Sequence, residues 1–238
     1  MCNTPYAAKT DMSLKQVDQY IEIAKPFITL GSVVTLTGGE CTLHPDILKI
    51  TDAIVKAFRP LMYSPIIIAT NGRGLRSKEI SKILQEKHGR QILIGATKAS
   101  PDVRINHYPV YRSILDYPDE LKAKGVSAES DFATKCLTRS SGGVDLTPYG
   151  VFMCCNASAI ARLFHLDVGM TKVPSLEEGT RQQGIICKYC VDAASQFVPN
   201  TVFAVSTKPV PLNLDVSTPT WRKALESFDP SYSLTIAN

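Results

Sequence analysis

Three clusters of residues in this chain have types and spacings that could do chemistry. The first is a set of seven cysteines: Cys2, Cys41, Cys136, Cys154, Cys155, Cys187 and Cys190. An odd number argues against simple pairing. In a reducing compartment, clustered thiols are more often metal ligands or redox groups than disulfides. The second is Gly38-Gly39-Glu40, placed after a short β-rich run. Glycines at a strand end let backbone groups approach a ligand, and a carboxylate there can accept hydrogen bonds from an ammonium group. A plain tight turn with a solvated glutamate is the competing reading. The third is Thr70-Asn71-Gly72, which closes the next apolar run and reads equally as an Asn-Gly turn or as a ligand contact. His44 reads as a helix-start residue, and structural roles are expected for His88, His107 and His165.

These residues need elements to position them. Ser13 to Phe27 reads as an amphipathic helix, with Leu14, Val17, Tyr20, Ile21 and Ala24 at helical spacing and Ser13 as its N-cap. Ser32 to Leu36 reads as a strand, Pro45 to Phe58 as a helix with proline in its first turn, and Pro65 to Thr70 as a buried strand. Lys78 to His88 follows as a third helix and Gln91 to Ala96 as a third strand. Alternating strands and helices with short connections predict an α/β fold with a parallel sheet, its continuous apolar strands covered on both faces. In such folds the reactive site lies at the C-terminal ends of the strands, where Gly38–Glu40 and Thr70–Gly72 fall. Beyond about residue 100 the periodicity breaks at Pro101, Pro109 and Pro118. Residues 101 to 133 read as a connecting region, with a helix near Asp119 to Lys124 and a strand candidate at Val110 to Leu115. The tail from Phe197 reads as edge strands or extended chain.

Cys2-Asn3-Thr4-Pro5, then Leu36-Thr37-Gly38-Gly39-Glu40, then Leu43-His44-Pro45-Asp46 resemble the radical S-adenosylmethionine superfamily. The resemblance implies a partial (βα) barrel of parallel strands, abbreviated here, over residues 1–133. It implies a 4Fe-4S cluster held by a CxxxCxxC loop after the first strand, with S-adenosylmethionine chelating the fourth iron. Cys2 matches the last cysteine of that loop, so the chain is expected to begin inside the motif and to lack the first strand. The family's Gly-Gly-Glu holds the amino group of the cofactor, which assigns cofactor binding to Gly38, Gly39 and Glu40; Thr70 and Asn71 face the same site. The activity implied is reductive cleavage of S-adenosylmethionine to methionine and a 5′-deoxyadenosyl radical, which abstracts hydrogen from a substrate, with a reductase as electron donor. Catalysis is not expected of a chain that starts within the motif. Cys41 stands where the family often has proline and reads as a small buried residue.

The second half carries its own resemblance. Asp145 to Gly150, then Phe152-Met153-Cys154-Cys155, then Cys187-Lys188-Tyr189-Cys190 resemble a SPASM or twitch auxiliary-cluster domain. That implies a small cysteine-rich module over residues 134–195, followed by a tail over 196–238. Its hairpin would use Val144 to Thr147 and Val151 to Met153, and its helix Ala157 to Phe164. The implied ligands of an auxiliary iron–sulfur cluster are Cys136, Cys154, Cys187 and Cys190. Four thiolates suit iron–sulfur or zinc, and the neighbouring signature favours iron–sulfur. Adjacent strand residues point to opposite faces, so one of Cys154 and Cys155 ligates, and Cys154 matches the family position. The alternative is a non-catalytic binding module braced by a metal on four cysteines. A thiol redox protein built on Cys187 and Cys190 is weaker, because the CxxC is not on a helix beside the first strand.

Composition limits the remaining classes. Hydrophobic residues make up 44% and charged residues 20%, enough to bury a core. The net charge of +4 is mild and does not mark a nucleic-acid binder. The apolar run Ile66-Ile67-Ile68-Ala69 is strand length, far short of a membrane span. With no charged-then-apolar leader pattern, a cytoplasmic location is expected. The substrate, whether small molecule or peptide, is left open.

Overall fold

The computed structural model describes residues 11–38, 40–70, 72, 74–96, 113–116, 118–123, 125, 143–190 and 219–228. They divide into two units, 11–96 and 113–228. Cys2, Gly39, Asn71, His107 and Cys136 lie outside the described residues, as does Phe197 with the first part of the tail.

The first unit is built by helix–strand alternation. Helix α1 (Leu14–Ala24) starts on a capping box: the Ser13 hydroxyl accepts the Gln16 N–H, and the Gln16 side chain accepts the Ser13 N–H. Pro26 then tightens Lys25–Phe27 into a 3₁₀ turn. Strand β1 is only Thr35–Leu36, shorter than the apolar pattern suggests. Helix α2 (Ile47–Phe58), strand β2 (Ile66–Thr70), helix α3 (Leu75–His88) and strand β3 (Ile92–Ala96) complete the unit. The three strands form a parallel sheet in the order β1-β2-β3, with Leu36 opposite Ile68 and Thr70 opposite Ala96. The architecture is mixed α/β.

One apolar core joins these elements. Val17 and Ile21 of α1, Ile50, Ile54 and Phe58 of α2, Ile66 and Ile68 of β2, Leu84 of α3 and Ile92 of β3 pack together. Burying a side chain such as Leu84, which is fully buried, contributes roughly 1.5–3 kcal/mol. The expected cover on both sheet faces is uneven among the described residues. Along β2, Ile66, Ile68 and Thr70 are buried while Ile67 and Ala69 are half-buried, and Leu93 of β3 is 52% exposed. The helices therefore cover one face more completely than the other among the described residues. Lys87 Nζ lies 2.6 Å and His88 Nε2 2.9 Å from the Asp52 carboxylate, tying α3 to α2.

In the second unit Ile114–Asp116 form a 3₁₀ turn; of the strand candidate Val110 to Leu115, residues 110–112 lie outside the described residues. Helix α4 (Pro118–Ala123) follows. Strands β4 (Asp145–Thr147) and β5 (Gly150–Phe152) form a two-stranded antiparallel hairpin around Pro148-Tyr149. Gly150 is thus a strand residue, paired with Thr147, rather than part of the turn. Helix α5 (Ala157–Leu163) is closed by His165, a non-glycine residue at φ 53. Helix α6 (Leu176–Ile186) has a second capping box, Ser175 with Glu178. Helix α7 (Pro219–Glu226) lies in a tail whose sequence reads as strand or extended chain. Its Trp221 and Ala224 are buried in the core formed by Phe152, Ile160, Leu163 and Ile186. That anchorage gives a short helix the tertiary support its length alone does not provide.

Candidate functional site

At the C-terminal edge of the parallel sheet, the residues after β1 meet the end of β2. Glu40 caps a 3₁₀ turn, Cys41–Leu43, by accepting the Thr42 N–H at 3.3 Å. Its Oε1 also accepts the Thr42 hydroxyl at 2.6 Å and the Thr70 hydroxyl at 2.6 Å. The Thr42 and Ser77 hydroxyl oxygens are 2.7 Å apart. The Thr42 hydroxyl, which has one proton, lies within donating distance of both the Glu40 carboxylate and the Ser77 oxygen. Thr70 Oγ1 in turn accepts the Gly72 N–H at 3.0 Å. Thr42, Thr70 and Ser77 are all buried, and Glu40 is half-buried. The carboxylate is therefore tied to the end of β2 and, through Thr42, to the first turn of α3.

Gly38 explains the approach to this edge. Its φ of 153 is a conformation side chains disfavour, and a Cβ there would meet nothing within 4 Å. Open space above its backbone is what a ligand approaching the strand end needs. Cys41 serves the framework: its thiol donates to the Ala69 carbonyl at 3.2 Å, and burial pushes it up to about 11. It stays protonated at neutral pH and is a poor nucleophile. His44 is a helix-start residue, as expected. Its Nδ1 accepts the Asp46 N–H at 3.0 Å, which leaves Nε2 to donate to the Met12 carbonyl at 2.9 Å.

Of the expected cofactor residues, Glu40 and Thr70 are brought into direct contact. The Thr70 hydroxyl is engaged by Glu40 and Gly72. Gly39 and Asn71 fall outside the described residues. Thr42 and Ser77 are not legible in the sequence. They are 35 residues apart, and nothing local links them.

The cysteines of the second unit sit on turns. Cys154 follows β5, and its Sγ accepts the Asn156 N–H at 3.4 Å. Cys155 is exposed. Cys187 opens a 3₁₀ turn at the end of α6, and the Cys190 N–H bonds back to the Cys187 carbonyl at 3.1 Å. Cys190 lies in the core, and Cys154 and Cys187 pack against that same core. Among the described residues, no three His, Cys, Asp or Glu side chains are grouped to hold a metal ion. Cys136, the fourth expected ligand, lies outside them.

Distant segments fix the CxxC turn. The Ser113 hydroxyl donates to the Lys188 carbonyl at 2.7 Å. Trp221 Nε1 donates to the Tyr189 carbonyl at 2.8 Å. With the Cys190 N–H on Cys187, each carbonyl of the turn has a donor. Thr220 and Asp116 join the two clamping segments, Oγ1 to Oδ1 at 2.7 Å. The hairpin is held by an amide from α6: Gln182 Nε2 donates to the Val151 and Val168 carbonyls, and its Oε1 accepts the Met153 N–H at 2.9 Å. The Ser113 and Trp221 clamps come from segments that read as connector and tail, which offer no motif.

Against known proteins, no family model matches this chain, and no curated protein and no solved structure matches it.

Proposed function

We propose that the chain is a radical S-adenosylmethionine enzyme whose sheet is part of an abbreviated (βα) barrel, with a cysteine-ligated auxiliary module in its second unit. The observation that supports this most is the Glu40–Thr70 bond, which places the Gly-Gly-Glu carboxylate at the C-terminal edge of parallel strands. That edge is where α/β sheets bind ligands. Open space over Gly38 and a fixed carboxylate fit the ammonium end of S-adenosylmethionine. When bound together, the cofactor and a four-iron cluster supply one-electron cleavage and hydrogen abstraction. This chain carries a single cysteine, Cys2, ahead of α1. The family's ligation takes three cysteines, and Cys2 alone does not supply them.

What the chain's own residues do is bind and position. Glu40 holds the ammonium group, and Gly38 lets the cofactor reach the backbone. In the second unit, Cys154, Cys187 and Cys190 carry the donor type a thiophilic metal takes but are not grouped around one point in this structure, and the Asn156 N–H on the Cys154 sulfur is the kind of hydrogen bond that would tune a ligating thiolate. Among the described residues no helix is long and apolar enough to cross a membrane. A cytoplasmic location, a reductase donor and a small-molecule or peptide substrate belong to this same proposal.

The test is equilibrium dialysis of S-adenosylmethionine against the full chain and its Glu40→Gln variant, with iron, sulfide and zinc assayed on anaerobically prepared protein. Retention that Glu40→Gln weakens roughly tenfold, with iron and sulfide present, is the expected result. No retention, with zinc and no iron, overturns the enzyme reading and leaves a zinc-braced binding module.

A further inference from the structure

Glu40, the acid proposed to meet the cofactor, is itself held by a set of hydroxyl groups. Two hydroxyls reach the same carboxylate oxygen at 2.6 Å, from opposite sides of the chain: Thr42 two residues on, and Thr70 on the neighbouring strand. Ser77, on α3, reaches Thr42 at 2.7 Å. All three hydroxyl residues are buried to 3% exposure or less. The Gly72 N–H closes the chain by donating to Thr70.

A buried hydroxyl is costly unless bonded. Valine would fill the Thr42 position with the same shape and no such need. A purely structural edge has no use for two buried hydroxyls that converge on one half-buried acid, with a third buried hydroxyl behind one of them. We propose that Thr42, Thr70 and Ser77 are positioning residues for Glu40, forming a hydroxyl chain that fixes its carboxylate to receive the ammonium group of S-adenosylmethionine. This rests on the function proposed above. Thr70 thereby changes role, from a cofactor contact to a group that acts through Glu40. Thr42 is the centre of the chain: its hydroxyl reaches the Glu40 carboxylate on one side and the Ser77 oxygen, which holds its rotamer, on the other. Loss of the Ser77 hydroxyl therefore leaves Thr42 able to donate, whereas loss of the Thr42 hydroxyl removes a bond to the acid itself.

Binding of two probes to the full chain separates positioning from general damage. S-adenosylmethionine carries the ammonium group; 5′-methylthioadenosine has the nucleoside without the amino acid. Thr42→Val is expected to weaken S-adenosylmethionine roughly tenfold and to leave 5′-methylthioadenosine within about twofold. Thr42→Ser, which restores the hydroxyl, should return S-adenosylmethionine to within about twofold of the parent. Ser77→Ala should fall between, at roughly threefold. Thermal unfolding of each variant verifies folding, and Thr42→Ser with Ser77→Ala carry the test if Thr42→Val does not fold. Equal loss of both probes, or unchanged S-adenosylmethionine binding in Thr42→Val and Ser77→Ala, overturns the positioning role while the function stands. A parent chain that binds neither probe overturns the function and the positioning role together.

Discussion

The two candidate regions are held in different ways. The strand-edge site belongs to a unit in which α1, α2, α3 and the sheet share one apolar core. Its functional residues sit at element ends, so secondary structure delivers them. The cysteine unit has a hairpin of three-residue strands and short helices. Its turns are fixed by side chains that bond to backbone carbonyls from far along the chain, as Ser113 and Trp221 do. Elements this small bury little area each, and small modules need additional staples. One site is placed by burial and the other by polar clamps and close backbone approach. Substitutions that add volume or remove a donor should therefore damage the second unit most.

The largest effect is expected at Gly169. A Cβ there would overlap the Tyr149 carbonyl oxygen, and would lie 3.3 Å from the Phe152 ring. Backbone offers no flexible escape, so Gly169→Ala should cost about 3 kcal/mol or more. In the first unit, a Cβ on Gly31 meets nothing within 4 Å, and Gly31→Ala should stay within about 0.5 kcal/mol. Trp221, the only tryptophan of the chain, reports on the second unit. Urea unfolding followed by its fluorescence measures the Gly169→Ala loss. An unchanged midpoint in Gly169→Ala would remove close approach as the organising feature of that unit.

The same division governs what is legible in the sequence. Helices α1 and α2 and strand β2 follow from apolar periodicity and a Ser13 cap, because burial against one core is a local pattern. Helix α6 escapes that pattern, although Ser175 and Glu178 form a capping box; its Gln182 and Gln183 are buried polar residues that break the apolar stripe. Helix α7 escapes it because Thr, Ser and Pro around it suggest loop, while its fold depends on Trp221 reaching the core. Glu40 and Thr70 are legible as strand-end residues. Thr42 and Ser77 are not, since a hydroxyl chain across 35 residues has no periodicity.

The next effect tests the polar clamp. Trp221→Phe keeps a ring in the core but removes the Nε1 donor to Tyr189. A part-buried carbonyl left without this partner costs about 1 kcal/mol. Hydrogen exchange should show faster opening of the amides near Cys187–Cys190, including the Cys190 N–H, while the amides of β2 keep their rates. If β2 amides accelerate equally, the clamp is not confined to the cysteine unit and the contrast between the regions weakens.

The smallest effect comes from two acids of the second unit with opposite shifts. Burial pushes the Asp145 carboxyl up to about 6 from 3.8. The Ser175 backbone N–H, joined by Lys172 and the Ser175 hydroxyl, holds Glu178 down at about 2 from 4.5. Between pH 3.8 and 6 the folded state binds more protons at Asp145 than the unfolded chain, so stability rises as pH falls through that window. Between 4.5 and 2 the unfolded chain binds more at Glu178, so the contribution of its capping box is present above 4.5 and is lost as pH falls towards 2. Together they place a stability maximum for this unit near pH 4, small because Glu178 is at the surface. Measured by Trp221 fluorescence, Asp145→Asn should flatten the rise relative to the parent and Glu178→Gln should flatten the acid-side fall. Parallel pH profiles for all three chains would mean that the hairpin does not bury Asp145 and that the cap on α6 does not hold. The polar contacts of this unit would then be incidental, and the apolar core around Phe152 would carry it as the other core carries the sheet.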